Sequence, residues 1–257
     1  MNILVTGSSG FIGKHLVKFL KGKRHNVFLC DRTNNIDIMM ISKYGLQKID
    51  CVIHLAAQTS VWNDDLEKVV YDNITNFVYL YRLCGLTNTK FIYASSSCAI
   101  NITSIYGLSK FFDDTLVNLY PIDQCVGLRF HNVYGKHPRP DTLFGKCFFR
   151  EKLILYNNGE NYRHFTYIDD VCRSIEKAIE LPSGLYNVFN PELNSCIEFV
   201  NEVKKYRHLD FVLSSEKRDR DKEFQNVDEN LENLICDDYT SLEKGMYLIF
   251  KDHGNSL

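Results

Sequence analysis

The chain has 257 residues, and its 30 Lys and Arg against 32 Asp and Glu give a formal net charge of -2. This balance excludes a strongly basic nucleic-acid-binding surface, and no apolar run approaches the roughly 20 residues that span a bilayer. We therefore expect neither nucleic acid nor a membrane as a partner. The length suffices for one α/β domain with a substantial core and a smaller second lobe.

The cysteine pattern argues against a metal site. The chain has nine Cys residues in or near apolar segments and no C-x-x-C pair. Zinc and redox sites generally need such paired thiols, so we expect no metal. An odd number of thiols beside apolar residues is typical of reduced cysteines in a cytoplasmic protein. Because Met1 leads straight into a predicted strand, we also expect no signal peptide.

The first predicted elements are a strand, a glycine-rich turn and a helix. Residues 3–5 are apolar, residues 6–13 read T-G-S-S-G-F-I-G, and helical spacing follows. Gly7, Gly10 and Gly13 permit a tight turn, a close pyrophosphate and a helix packed against the strand. The spacing is G-x-x-G-x-x-G rather than G-x-G-x-x-G. A plain surface turn is the alternative, but the flanking strand and helix favour a dinucleotide site at the helix start.

The second predicted strand, residues 26–30, ends at Asp31. A carboxylate there can accept hydrogen bonds from an adenosine ribose and repels a 2′-phosphate, so it favours NAD over NADP. Arg32 weakens that preference. A simple turn residue is the alternative for Asp31.

Residues 35–38 are interpreted as a short third strand, and residues 51–57 as a strand buried on both faces. Ala56 and Ala57 at its end leave room for a cofactor. His54, inside this apolar run, is interpreted as a buried core residue rather than as a base or ligand.

The remaining elements alternate between helix and strand. A long helix is predicted at 64–84, a strand at 91–95, a helix starting near Tyr106 and a strand at 125–130. This alternation predicts an α/β fold with a Rossmann-type, doubly wound parallel sheet, whose ligand site lies at the carboxyl ends of the strands.

The predicted domain organisation has two parts. Residues 1–135 form the dinucleotide-binding domain, completed by 164–181. Residues 136–163 and 182–257 form a smaller substrate-binding lobe, with a strand at 185–189, helices at 195–206 and 242–250, and a charged segment at 210–227.

Tyr106 and Lys110 lie at i and i+4 of one predicted helix and therefore share a face. A lysine ammonium favours the phenolate and lowers a tyrosine pKa from its usual ~10. Such a tyrosine can exchange a proton with an alcohol oxygen, which a hydroxyl from the preceding serine cluster, residues 95–97, can hold.

Several ordered motifs carry a resemblance to a known family. Residues 6–13 resemble T-G-x-x-G-F-I-G, 50–58 resemble D-x-V-I-H-L-A-A-Q, 128–135 resemble L-R-x-x-N-V-Y-G, 163–171 resemble R-D-F-x-Y-V-D-D-V, 218–221 resemble R-P-G-D, and 241–245 resemble S-L-E-E-G. These are patterns of the extended short-chain dehydrogenase/reductase family, in its NAD-dependent nucleotide-sugar epimerase/dehydratase branch. The chain is similar to that branch over nearly its full length.

The resemblance implies a catalytic set, a cofactor site and a substrate site. The catalytic residues are Ser97, Tyr106 and Lys110. The cofactor-binding residues are Gly7, Ser9, Gly10, Phe11, Ile12, Asp31, Arg32, Asp37, Ile38, Leu55, Ala56, Ala57, Asn73, Tyr106 and Lys110. The substrate-binding residues are Ser60, Ser97, Asn132, Arg163 and Arg218, of which the two arginines clamp a diphosphate.

Two departures from the family pattern affect the site. The family's V-Y-G and the long loop after it are replaced by Ile100-Asn101-Ile102 and a short connection to Tyr106, so we expect a more open site. The register of the catalytic hydroxyl is consequently open, with Ser96 and Ser95 as alternatives to Ser97. Cys98-Ala99 stands where 4,6-dehydratases have Asp-Glu, which disfavours dehydration.

The favoured hypothesis is an NAD-dependent nucleotide-sugar epimerase that acts through a transient keto-sugar. The close alternative is an NAD(P)H-dependent 4-keto-sugar reductase, and a third is a non-catalytic NAD- or nucleotide-binding protein. The expected substrate is a UDP-, dTDP- or GDP-linked sugar. Tyr156 is a candidate to stack on its base, with a core aromatic as the alternative. The resemblance also implies a homodimer that pairs helices 64–84 and 106–120 into a four-helix bundle.

Overall fold

The computed structural model describes residues 1–149, 152–235 and 238–251. Its centre is a six-stranded sheet in the order β10-β5-β4-β3-β1-β2, with every neighbouring pair parallel. These strands are β1 (Asn2–Thr6), β2 (Asn26–Cys30), β3 (Cys51–His54), β4 (Lys90–Ser96), β5 (Cys125–Phe130) and β10 (Gly184–Val188). Strands β3 and β5 are buried along their whole length, as their largely apolar sequences predict.

Helices cover both faces of this sheet. The helices of the described residues are α1 (Phe11–Gly22), α2 (Lys43–Leu46), α3 (Leu66–Val69), α4 (Asn76–Thr87), α5 (Ile105–Leu119), α6 (Leu143–Phe149), α7 (Ile168–Ala178), α8 (Cys196–Lys204) and α9 (Leu242–Phe250). One core cluster joins Leu16 of α1 and Ile175 of α7 to one face. The other joins Phe77 and Leu80 of α4 to the opposite face. The predicted Rossmann-type fold is thereby confirmed.

Three short strand pairs lie outside the six-stranded sheet in the described residues. They are β6 (Val133–Tyr134) with β9 (Thr166–Tyr167), β7 (Lys152–Leu155) with β12 (Asp210–Leu213), and β8 (Tyr162–Arg163) with β11 (Asn194–Ser195). These pairs, with α6, α8 and α9, occupy the chain regions assigned to the substrate-binding lobe. The division into two lobes itself stays a prediction.

The predicted third strand at 35–38 is wrong. The structure has two 3₁₀ turns in this region, Arg32–Asn34 and Ile38–Met40. The side chain of Asp31 caps the first turn by accepting from Thr33 N–H, and Asp37 caps the second by accepting from Met39 N–H. Such local side-chain bonds offer the backbone an alternative to a sheet ladder, and here they replace it.

The strand at 184–188 lies in the main sheet rather than in the lobe where the sequence predicted it. It pairs in parallel with β5 from Val126 to Phe130. Helix α7 supplies the crossover that a parallel neighbour requires, and so the dinucleotide-binding sheet extends beyond residue 181.

The predicted helix at 64–84 is interrupted by a π-helical turn, Val70–Thr75, between α3 and α4. Asp72 and Asn73 in this turn are almost completely buried. Such turns often accompany functional sites, because the extra residue per turn redirects side chains. Over the three described ranges, no helix combines the length and apolarity that crossing a membrane demands.

Candidate active site

The glycine-rich turn forms a backbone cradle between β1 and α1. Gly7 has φ +66°, and a Cβ there would lie 2.7 Å from Ala56 N, while one on Gly13 would lie 2.1 Å from Gly7 O. Only glycine fits these two positions. Gly10, the N-cap of α1, brings no side-chain cap, so the first N–H groups of the helix keep their donor capacity. The cradle fits a pyrophosphate group.

Asp31 is held in place at the end of β2. Its carboxylate accepts from Thr33 N–H at 3.0 Å and from Ser9 N–H at 3.1 Å. Burial opposes its ionisation, but these hydrogen bonds outweigh that effect and lower the pKa of Asp31. The charged carboxylate is therefore fixed where a ribose could donate to it.

Arg32, next to Asp31, has an ion-pair partner that is distant in the chain. Its Nη2 contacts Asp72 Oδ2 at 2.9 Å, and Gln58 Nε2 donates to the same oxygen at 2.7 Å. With its guanidinium engaged by Asp72, Arg32 is less available to attract a 2′-phosphate. This arrangement agrees with the predicted preference for NAD.

Three consecutive serines at the end of β4 have three different partners. Ser95 Oγ donates to the buried Asp114 at 3.0 Å. Ser96 lies near enough to the phenol of Tyr106 to lower its pKa, and its Oγ accepts from the N–H of Cys98 at 3.2 Å. Ser97 Oγ accepts from Gln225 Nε2 at 2.6 Å. Ser95 therefore has a structural partner, while Ser96 and Ser97 have partners within the cavity.

The electrostatics of Tyr106 differ from the sequence expectation. Burial raises the pKa of Tyr106, and the opposing effect of Lys110 is the smaller of the two. Lys110 Nζ contacts Asp113 Oδ2 at 3.1 Å, with both side chains buried. Asp113 thus partly neutralises the Lys110 ammonium, whose effect was expected to dominate the pKa of Tyr106. Burial also raises the pKa of Asp113, to about 7, against the effect of Lys110.

A second buried network fixes the segment after residue 218 to the sheet. Arg129 on β5 donates to Asp114 at 3.0 Å and to Asp228 at 2.8 Å. Asp114 also accepts from Tyr93 and Ser95, so this carboxylate is fully engaged. The network places residues near 225 against the end of β4.

Gln225 links Ser97, the predicted catalytic residue, to two further residues of the cavity wall or its surroundings. It donates to Ser97, and its Oε1 accepts from Asn132 Nδ2 at 2.8 Å and from His164 N–H at 3.3 Å. One side-chain amide thus bridges two of the predicted substrate-contacting residues, Ser97 and Asn132.

Arginines line the opposite wall. Arg163 pairs with Asp221, Arg139 with Asp141 and Arg220 with Asp64. Arg218 differs, because within the described ranges its guanidinium has no carboxylate or hydrogen-bonding partner. Its guanidinium lies instead 3.9 Å from the ring centroid of Tyr156 and 4.7 Å from that of Trp62.

One cavity of about 1070 Å³ connects these groups. Its lining includes most of the predicted site residues, namely Gly7, Gly10, Phe11, Ile12, Asp31, Arg32, Asp37, Ile38, Leu55, Ala56, Ala57, Ser60, Ser97, Tyr106, Lys110, Asn132, Arg163 and Arg218. Two predicted cofactor residues are placed elsewhere. Ser9 contacts Asp31 and Thr33, and Asn73 is buried behind the wall, where its amide holds Gln58 and Ser109. Asn73 therefore supports the wall.

Residues 3–190 match the model of the NAD dependent epimerase/dehydratase family. The chain belongs to this family. A putative UDP-glucose 4-epimerase of Methanocaldococcus jannaschii is 28% identical over 79% of this chain and 81% of the relative. An ADP-L-glycero-D-manno-heptose-6-epimerase of Cupriavidus pinatubonensis is 34% identical over 73% of this chain and 72% of the relative.

A solved structure of similar fold is that of the UDP-glucuronic acid 4-epimerase from Bacillus cereus in complex with UDP-glucuronic acid and NAD. It has a TM-score of 0.83 and 26% identity, and the match covers 98% of both chains. The family's name includes dehydratases as well as epimerases, so membership leaves the expectation against dehydration unconfirmed.

The site of this epimerase/dehydratase family member includes residues that the sequence did not identify. Gln225 and Trp62 become candidates only through contacts with residues far away in the chain. The sequence does contain a weak indication of Asp113, because a carboxylate three positions after Lys110 on one helix can pair with it.

Proposed function

We propose that the protein is an NAD-dependent nucleotide-sugar epimerase. The observation that carries the proposal is the single cavity, which joins the glycine cradle and Asp31 at one end to Tyr106 and Lys110, and these to Arg218 at the other. A dinucleotide and a diphosphate-linked sugar are the two ligands that such a cavity suits.

The assigned chemistry divides among this chain's own residues. The glycine turn and Asp31 hold NAD, which when bound supplies a reversible hydride acceptor. Tyr106 takes the proton from a sugar hydroxyl and returns it after the keto-sugar has rotated. Ser97 holds the reacting oxygen, with Ser96 close to the tyrosine and lowering its pKa. Lys110 offsets part of the burial that disfavours the phenolate.

The remaining site assignments concern the substrate. We assign Asn132, Ser60 and the Arg163–Arg218 pair to a UDP-, dTDP- or GDP-linked sugar. The Bacillus cereus relative binds UDP-glucuronic acid, which supports a nucleotide sugar without fixing its base. In this structure Tyr156 stacks on Arg218, which favours a role in holding the arginine over stacking on the base.

Elimination of water is the less favoured chemistry. Cys98 and Ala99 follow Ser97 in place of an acid and a base. On the arginine side of the described cavity, Asp141 and Asp221 are paired with arginines. This pairing supports an epimerase or a reductase over a dehydratase.

We further propose a cytoplasmic homodimer. The eight cysteines in the described residues are free thiols, six of them buried, as expected for a reducing compartment. Helices α3 and α5 pack side by side and expose apolar side chains. Exposed apolar residues of this kind typically mark a protein interface.

The decisive experiment identifies the bound nucleotides and then measures turnover. Denaturation of the purified protein followed by mass spectrometry should release NAD, and UDP-, dTDP- and GDP-sugars are then tested for epimerisation. Tyr106→Phe should lower kcat by at least about 10²-fold while NAD remains bound, because general acid–base catalysis contributes about that much. Tyr247→Phe, at an exposed tyrosine on α9, is the matched control.

The outcomes separate the alternatives. Net consumption of NADH or NADPH with a keto-sugar would establish the reductase instead. Unchanged turnover of a confirmed substrate by the Tyr106→Phe protein would refute the mechanism. Retained NAD without turnover of any nucleotide sugar would favour the non-catalytic alternative.

A further inference from the structure

Trp62, the only tryptophan in the chain, lies in the loop between β3 and α3 and lines the cavity. The same loop begins with residues assigned to the cofactor, so it connects the two halves of the site. The indole is 44% exposed, yet the guanidinium of Arg218 stands over it at 4.7 Å from the ring centroid. The same guanidinium lies over a second ring, that of Tyr156, at 3.9 Å from the ring centroid.

The two aromatic contacts leave the hydrogen-bonding capacity of Arg218 intact. A guanidinium presents its N–H donors in the plane of the group, whereas aromatic rings contact its faces. Within the described residues, none of the N–H donors of Arg218 contacts a carboxylate, whereas Arg163 and Arg220 each pair with an aspartate. A phosphate approaching in the plane could therefore receive a forked pair of hydrogen bonds.

A second contact fastens the same two loops together. Arg220 Nη1 donates to Val61 O at 3.2 Å and contacts Asp64 Oδ1 at 2.8 Å. These bonds flank Trp62 and hold the segment around residue 218 against the loop that carries the indole. The position of Arg218 is thus set from outside its own segment.

We propose that Trp62 is a positioning residue, which holds the Arg218 guanidinium with its edge toward the diphosphate of the substrate. The proposal rests on the proposed function, because it takes a nucleoside diphosphate as the ligand. A confined guanidinium loses less side-chain entropy when it binds than a mobile one does. Affinity for the diphosphate should therefore depend on the aromatic ring at position 62.

The test measures binding by calorimetry with NAD in excess, using UDP, dTDP, GDP and ADP as probes. The nucleoside that corresponds to the tightest binder, which lacks the diphosphate, is the control ligand. Trp62→Leu should weaken the diphosphate by about tenfold, the scale of a partly desolvated cation–π contact, and leave the nucleoside unchanged. Trp62→Phe, which keeps an aromatic face, should stay within about threefold of the wild type.

A double-mutant cycle distinguishes positioning from a general structural effect. Once Arg218→Ala has removed the guanidinium, Trp62→Leu should cause no further loss of diphosphate affinity. The inference is overturned if Trp62→Leu binds the diphosphate like the wild type, weakens the nucleoside equally, or causes the same loss in the Arg218→Ala background. If the wild type binds NAD but none of the four diphosphates, the proposed function fails instead.

Discussion

At the scale of single residues, the three serines at the end of β4 show how neighbouring hydroxyls acquire different surroundings. Ser95 contacts the buried Asp114, Ser96 the phenol of Tyr106, and Ser97 the amide of Gln225. Ser95 and Ser96 are successive residues of β4 and point to opposite faces, whereas Ser97 begins the 3₁₀ turn that follows the strand. Identical residue types thereby acquire different partners, which is the basis for the roles proposed for them.

The serine assignment predicts separable effects. Ser97→Ala should lower kcat by about 10²-fold with little change in stability, because a donor to the reacting oxygen is lost. Ser95→Ala should instead cost about 2 kcal/mol of unfolding free energy, since the charged Asp114 loses a hydrogen bond. Steady-state kinetics and urea unfolding of both variants provide the measurement. A catalytic defect larger in Ser95→Ala than in Ser97→Ala would contradict the assignment.

His131 predicts a pH dependence of stability. Burial, with His164 and Arg129 nearby, lowers the pKa of His131 from its ordinary 6.5 to about 3. At a pH between these two values, the unfolded chain therefore binds a proton at His131 and the folded state does not. The contribution of the neutral His131 ring to the unfolding free energy is fully present above pH 6.5. It is lost as the pH falls, and the loss is about 2 kcal/mol at pH 5.

The phenylalanine variant of His131 isolates this effect. Compared with the wild type, His131→Phe should lose about 2 kcal/mol less unfolding free energy between pH 7 and pH 5. Urea unfolding at the two pH values checks the difference. His208→Gln, at an exposed histidine, is the control and should follow the wild type. Equal losses in His131→Phe and the wild type would show that this ring does not titrate as proposed.

At the scale of elements, the short connection before α5 is packed tightly against the helix. Ser104 caps α5 by accepting from Gly107 N–H at 3.1 Å. A Cβ at Gly107 would lie 2.7 Å from Cys98 O, a backbone atom. The connection that replaces the family's long loop thus requires a glycine, and it fixes the helix start that carries Tyr106. The expectation that this shortening opens the site stays a prediction.

Gly107→Ala should destabilise the protein by about 2 kcal/mol, the cost of overpacking against backbone, and should also displace Tyr106. Thermal unfolding and activity report the two consequences. Gly22→Ala is the matched control, because a Cβ there meets nothing within 4 Å. A melting temperature of Gly107→Ala equal to that of Gly22→Ala would be inconsistent with the close approach.

At the scale of the whole molecule, the exposed faces of α3, the π-helical turn and α5 carry the proposed dimer interface. Its apolar members are Leu66, Val70, Tyr71, Leu108, Phe111 and Phe112, each at least 38% exposed. A second copy of the chain could cover these side chains by the same face, as an isologous interface requires.

The dimer is tested by placing a charge on this face. The wild type should sediment as a dimer, and Phe111→Glu as a monomer, because burying an unpaired carboxylate opposes association. Tyr247→Glu, on the exposed part of α9, should remain dimeric. A monomeric wild type at micromolar concentration would exclude the interface.

The sequence by itself determined the features that depend on local spacing. The turn at residues 6–13, the acid at the end of β2 and the Tyr106–Lys110 pair follow from short-range periodicity and backbone sterics. The ordered motifs added the family, which the comparison over residues 3–190 confirmed.

Tertiary structure decided what depends on partners distant in the chain. Asp72 holds Arg32 from 40 positions away, and Gln225 reaches Ser97 across 128 positions. The predicted strand at 35–38 does not form, because the side chains of Asp31 and Asp37 cap two 3₁₀ turns there. The pKa of Tyr106 is raised rather than lowered, because the effect of burial is larger than that of Lys110. Periodicity records which face of an element is buried, but it does not record which side chains meet there or how much water remains.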